Sequence, residues 1–185
     1  MTTPGRFRRA DRCPTSRRWV HCTAAASCAL VACWSLGRAG LRINASPSLP
    51  IGLYLKASAP GATLAEFCPE EPAASLGLLR AYRSAGNCPD GGTPLLKPIV
   101  AVFGDTVELS DAGIAVNGRL LTNTSPQSAD SQGRPMPRWA RGVVRVARGT
   151  IWVASSYNIR SFDSRYFGPI HVTTIRQFLR PVWTE

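Results

Sequence analysis

Histidine is nearly absent from this sequence, with only His21 and His171 in 185 residues. His21 lies inside an apolar run, and His171 stands in a β-branched stretch where a packing role is the default. A histidine-based catalytic triad therefore has little to be built from. Lysine is as scarce: Lys56 and Lys97 are its two instances, so arginine carries most of the formal net charge of +11. No C-x-x-C pair occurs, and cysteine spacings of 9, 6, 5, 35 and 20 make no metal motif. No metal or cofactor is called for. There is no helix-turn-helix or zinc-finger pattern, and no Lys/Arg block beyond the N-terminal tail. Nucleic acid is thus not an expected partner despite the charge. No internal repeat is present.

The basic excess is concentrated at the start. Residues 1–18 hold six arginines against one acid, Asp11. The next stretch, WVHCTAAASCALVACWSL at 19–36, has no Asp, Glu, Lys or Arg. As a helix it would measure about 27 Å, close to the roughly 30 Å of a bilayer's hydrocarbon core. Trp19 and Trp34 sit near its ends, where indole rings prefer the interface. Cys22, Cys28 and Cys33 within it, and Cys13 just before it, read as small apolar residues. The positive-inside rule keeps the tail of 1–18 in the cytoplasm and sends 43–185 across the membrane. A cleaved signal peptide is the rival reading. The run is longer than a usual signal core, and Arg38 spoils the small-residue context that follows, which favours a retained anchor. Export in either form makes a Cys68–Cys88 bridge plausible, since disulfides persist in oxidising compartments.

Residues 43–185 form the expected folded domain. Apolar residues are 44% and charged residues 18% of the chain, enough for a core. GLYLK at 52–56 alternates as a strand does, and Pro60-Gly61 ends it. PAASLGLLRAYRSAG at 72–86 places Leu76, Leu79 and Tyr82 at helical spacing, with Gly86 as the stop. KPIVAVFGDTVEL at 97–109 reads as two strands about a Gly-Asp turn. In GIAVNGRLL, Asn117-Gly118 between apolar runs is a strong hairpin signal. Residues 122–140 are polar and proline-rich and read as a long loop. VVRVARGTIWVAS gives two further strands, and SFDSRYFGPIHV a turn feeding a last one. The fold class is mainly β, with a small helical insertion and one N-terminal transmembrane helix.

Three stretches stand out: Ser46-Pro47-Ser48, Lys97, and Ser161-Phe162-Asp163-Ser164-Arg165. Each alone has an ordinary reading as a turn, a solvated lysine, or an Asp/Arg pair on one strand face. Together they suggest nucleophilic chemistry without histidine. A serine hydroxyl is a poor nucleophile until a base takes its proton. A lysine can serve if an apolar setting keeps it neutral. Lys97 has that setting, between Leu95-Leu96 and Pro98-Ile99-Val100-Ala101-Val102.

The pattern resembles the type I signal peptidases, and more closely their conjugative-transfer branch, the TraF-type pilin-processing peptidases. Ser46-Pro47-Ser48-Leu49 matches the nucleophile box, with Pro47 in place of the usual glycine. SLPIGLY has the form typical of the TraF-type branch. Lys97 through Gly104-Asp105 matches the lysine box, and Ser161 through Gly168 the last box. The Cys68/Cys88 pair before Pro94-Leu95-Leu96-Lys97 also looks like that branch. Upstream of the last box, Ser155-Ser156-Tyr157-Asn158 replaces the Gly-Asp-Asn of the general enzymes, which points to the specialised branch.

The resemblance implies that Ser48 is the nucleophile and Lys97 the general base. It implies that the Ser46 hydroxyl and the Ser48 N–H form the oxyanion hole. Ser161 would orient the lysine amine, and Asp163, paired with Arg165, would support it. The implied protein is an endopeptidase of the bacterial inner membrane with a periplasmic catalytic domain. It would process an exported pilin precursor during conjugative transfer, with ring closure of the product permitted. Expected partners are that precursor or another exported pre-protein, inner-membrane lipid and the conjugation apparatus. Leu49, Ile51 and Leu53 are expected near the bilayer. The alternatives are a general leader peptidase and, from another class, a non-catalytic envelope assembly protein.

Overall fold

A computed structural model of the chain describes residues 40–185 and, before them, Ser27 and Ser35. The anchor expected at 19–36 and the basic tail of 1–18 lie outside the described residues. Among the described residues no helix is long and apolar enough to cross a membrane. Leu41–Glu185 forms one compact unit, and the account below concerns that unit.

Eleven strands appear among the described residues: β1 (Leu41–Asn44), β2 (Gly52–Lys56), β3 (Leu64–Phe67), β4 (Leu95–Ala101), β5 (Thr106–Ser110), β6 (Gly113–Val116), β7 (Arg119–Leu120), β8 (Gly142–Arg145), β9 (Thr150–Val153), β10 (Ile170–His171) and β11 (Ile175–Thr184). Two short helices accompany them, α1 (Ala73–Leu79) and α2 (Ser164–Phe167). The strands make a seven-stranded sheet, ordered β1-β2-β11-β3-β4-β9-β10, and a four-stranded sheet, ordered β7-β6-β5-β8. Every pairing is antiparallel.

Side-chain alternation places the core. In β4, Leu95 and Lys97 point to the same buried face, two residues apart. Leu95 joins Ala65, Phe67, Val153, Phe162 and Tyr166 in the main cluster. Val107, Leu109, Ile114, Val146 and Trp152 make a second cluster under the smaller sheet. Pro98 follows Lys97 inside a central strand, where a missing N–H would normally interrupt the ladder. The register between β4 and β9 shifts just beyond it, between Ile99 and Ala101, the kind of irregularity at which a strand proline is tolerated.

Several sequence expectations match these elements. GLYLK is β2, and KPIVAVFGDTVEL spans β4 and β5 about the Gly104-Asp105 turn. Asn117 and Gly118, both at positive φ, turn β6 into β7. Gly52 has a different reason to be glycine: a Cβ there would come within 2.2 Å of the Trp183 carbonyl oxygen across the β2–β11 pair.

Three expectations are corrected. The helix ends at Leu79 rather than near Gly86, and Leu79 is 83% exposed. The chain turns at Ala81, where φ is +56°, to bring Arg83 back beneath the helix. The Arg83 side chain packs so closely that a Cβ at Gly77 would strike its aliphatic stem and one at Gly92 its guanidinium. It pairs with Asp90 at 2.6 Å. VVRVARGTIWVAS holds its two expected strands, and they belong to different sheets, β8 pairing with β5 and β9 with β4. His171 is not packed; it is exposed and meets Glu70 through Nδ1 at 2.8 Å. Leu49 is not available to a bilayer, because it is buried with Tyr54, Leu64 and Leu179, whereas Ile51 is exposed.

Candidate active site

The Ser46–Ser48 loop joins β1 to β2, and one buried side chain folds it. Asn44 Nδ2 donates to the carbonyls of Ser46, Leu49 and Pro50 at 3.0–3.3 Å, and Asn44 Oδ1 accepts from the Ser46 N–H at 3.1 Å. From β2, the Tyr54 hydroxyl donates to the Pro50 carbonyl at 2.6 Å. The loop is therefore held at both ends. Within it, the Ser48 N–H donates to Ser46 Oγ at 3.4 Å, which leaves the Ser46 hydroxyl proton unused. Ser46 is exposed and Ser48 half-buried.

Lys97 is 4% exposed and its amine donates to Ser161 Oγ at 2.8 Å. Burial pushes the amine's pKa down to about 8 from 10.5; the Asp163 carboxylate pulls it back up, and Arg165 pushes it down again. Asp163 caps α2 by accepting from the Arg165 N–H at 3.2 Å. The Arg165 guanidinium also donates to the carbonyls of Ser161 and Ile159, each at 2.9 Å. The same guanidinium thus fixes the serine that holds the lysine. Burial works against the Arg165 charge, but the hydrogen bonds and attraction from Asp163 outweigh it and raise its pKa.

The sequence-predicted residues thus gather in two groups: Ser46 with Ser48, and Lys97 with Ser161, Asp163 and Arg165. Among the described residues no hydrogen bond joins the Ser48 hydroxyl to the Lys97 amine. A residue outside the predicted set links the groups. Ser155, fully buried, donates its hydroxyl to the Ser48 carbonyl and its N–H to Asp163 Oδ2 at 3.1 Å. Asn44 and Ser155 escape sequence reasoning because they act on backbone atoms. The one available signal at Ser155 is its departure from the Gly-Asp-Asn pattern.

Ser46, Pro47 and Ser48 border a cleft of about 240 Å³ whose apolar side is formed by Tyr82, Phe162 and Tyr166. The loop of 122–140 also lines it, through Gln127, Asp130 and Met136. It is tied down rather than slack. The Tyr82 hydroxyl donates to Asp130 Oδ2 at 2.6 Å, and Arg134 Nε to the same oxygen at 2.6 Å. Burial opposes the Asp130 charge, but these bonds together lower its carboxyl well below the usual range. Separately, Cys68 and Cys88 are bonded, closing the excursion that contains α1.

A buried lysine held by Ser161, with Ser155 tying the Ser46–Ser48 loop to Asp163, is an arrangement suited to a serine peptidase that works without histidine. Comparisons with known proteins give the family. The family described as signal peptidase, peptidase S26, matches residues 16–183. A plasmid transfer protein TraF of Escherichia coli is 38% identical over 154 residues, covering 79% of this chain and 84% of that one. A conjugal transfer protein TraF of Agrobacterium fabrum is 35% identical over 150 residues, covering 78% of this chain and 83% of that one. A probable signal peptidase I of Mycobacterium leprae is 35% identical over 98 residues, covering 48% of this chain and 34% of that one. The chain belongs to the signal peptidase, peptidase S26, family. Within it, the similarity that spans most of the chain is to the TraF conjugal transfer proteins.

Proposed function

We propose that this chain is a serine–lysine endopeptidase that processes an exported pilin precursor during conjugative transfer, with Ser48 as nucleophile and Lys97 as general base. The observation that carries this reading is the Lys97 amine, buried, lowered to about 8 and oriented by Ser161 at 2.8 Å. At pH 7 such a lysine is neutral about a tenth of the time, against less than a thousandth for a solvated one. The conjugative setting is supported by TraF relatives matched over 79% of the chain, where the Mycobacterium signal peptidase matches 48%.

In this reading Ser48 Oγ attacks the scissile carbonyl carbon while Lys97 Nζ takes the hydroxyl proton. The carbonyl oxygen becomes an oxyanion, held by the Ser46 hydroxyl and the Ser48 N–H. The Ser46 hydroxyl proton is free for this, and the Ser48 N–H would exchange its long bond to Ser46 Oγ for the substrate oxygen. Collapse breaks the C–N bond, and the Lys97 ammonium returns its proton to the leaving amine. Water, deprotonated by the same lysine, then releases the acyl group from Ser48. If the substrate's own amino terminus takes the place of water, the product is a ring and no further reagent is needed. The Ser48–Lys97 hydrogen bond would form as substrate closes the site, as catalytic contacts often do.

An anchor at 19–36 would hold the Ser46–Ser48 loop at a fixed depth beside membrane-held precursors, raising effective concentration. The test is co-expression of wild type, Ser48→Ala and Lys97→Ala with the pilin precursor encoded nearby, reading the precursor's mass. Shortening by wild type alone, at equal membrane levels of all three, supports the reading. The product mass separates linear from ring by one water. An intact precursor with wild type would overturn the pilin assignment, and ordinary exported precursors would be tried next.

A further inference from the structure

Ser155 is buried, polar and unused by the chemistry above, yet it touches both halves of the site. It stands 107 residues from Ser48 in sequence, and its hydroxyl donates to the Ser48 carbonyl. Its N–H donates to Asp163 at 3.1 Å, the carboxylate whose charge acts on Lys97. We infer that Ser155 is a positioning residue that aims the Ser48 hydroxyl. The inference rests on the reading of Ser48 as nucleophile.

The argument is geometric. The direction of a serine's Cβ is set by the two peptide units that flank its Cα. The unit before Ser48 is held through its N–H by Ser46 Oγ at 3.4 Å. The unit after it is held through the Leu49 N–H by the Ser46 carbonyl, also at 3.4 Å, and through the Ser48 carbonyl by Ser155. The two bonds from within the loop are long and move with it. Ser155 is the restraint that comes from outside, and it is itself pinned. Asp163 takes its N–H, and its Oγ also accepts from the Tyr157 N–H at 3.2 Å. The Asp163 carboxylate thereby references the nucleophile loop to the same rigid pair that supports Lys97. Misplacing a reacting group by about 1 Å can cost on the order of a hundredfold in rate.

A hydroxyl that only aims the nucleophile affects the chemical step, and neither substrate binding nor the base. The experiment uses the full-length protein in detergent and a quenched fluorescent peptide with an Ala-x-Ala cut site. Wild type, Ser155→Ala, Ser155→Thr and Ser48→Ala are compared. Ser155→Ala is expected to lower kcat about 10- to 100-fold, with KM within about twofold and the midpoint of the pH–rate curve unmoved. Ser155→Thr, which keeps the donor, should recover most of the loss. An unchanged kcat in Ser155→Ala would overturn the inference. So would a shifted pH midpoint, a change confined to KM, or loss of the fold by near-UV circular dichroism. Full activity in Ser48→Ala would instead overturn the nucleophile reading. An inactive Ser48→Ala beside an unaffected Ser155→Ala would overturn this inference alone.

Discussion

Arg165 grips Asp163 through Nε and Nη2, each at 2.8 Å, and neither side chain is exposed to solvent. Such a pair gains little over apolar packing, but breaking it strands a buried charge. Asp163→Ala leaves Arg165 without its counterion and the Ser155 N–H without its acceptor. Urea unfolding should show a loss of about 3–5 kcal/mol. Asp163→Asn, which keeps an acceptor oxygen, should lose less.

The buried amine sets the pH dependence of activity. In the proposed mechanism Lys97 acts as base in its neutral form, and burial pushes its pKa down to about 8. The rate at subsaturating substrate should rise about tenfold per pH unit below that value and level off above it. A profile that is flat from pH 6 to pH 9 would contradict Lys97 as the base.

The same burial makes Lys97 a cost to stability. Its pKa is lower folded, about 8, than the 10.5 of the unfolded chain. Between those values the unfolded state holds more protons, so stability from this group rises with pH across that window. Below about 8 the penalty is complete. Lys97→Met should therefore be inactive yet melt no lower than wild type at pH 7. Thermal melts from pH 7 to pH 10 should show a weaker rise in Tm for the variant.

Tyr82 and Asp130 both line the cleft. The Tyr82 hydroxyl reaches across 48 residues of sequence to Asp130 at 2.6 Å, outside the catalytic group. Tyr82→Phe should raise KM several-fold with kcat nearly unchanged, the signature of lost uniform binding. Steady-state kinetics on the peptide substrate decide it.

The side chains given roles in the proposed mechanism were all named from the sequence. Ser46, Ser48, Lys97, Ser161, Asp163 and Arg165 fall in short boxes, and local patterning also placed β2, β4, β5 and the Asn117-Gly118 hairpin. Longer-range choices were not legible. Apolar alternation identifies β8 and β9 as strands, but it cannot say that they join different sheets. Helical spacing through Leu79 and Tyr82 continues past the real helix end, because the turn at Ala81 is driven by burial of Arg83 against Asp90. Leu49 and Ile51 look alike as apolar residues just after Ser48, yet one is core and the other surface. Asn44 and Ser155 hold the loop through backbone carbonyls, for which side-chain identity leaves no periodic trace.

The most direct test of the account is to find which residue carries the acyl group. The purified full-length protein would be acid-quenched during turnover of an Ala-x-Ala ester and mapped by peptide mass. The account predicts the acyl group on Ser48 in wild type, and no adduct in Ser48→Ala or, at pH 7, in Lys97→Met. An adduct on any other residue, or undiminished acylation in Lys97→Met, would contradict it.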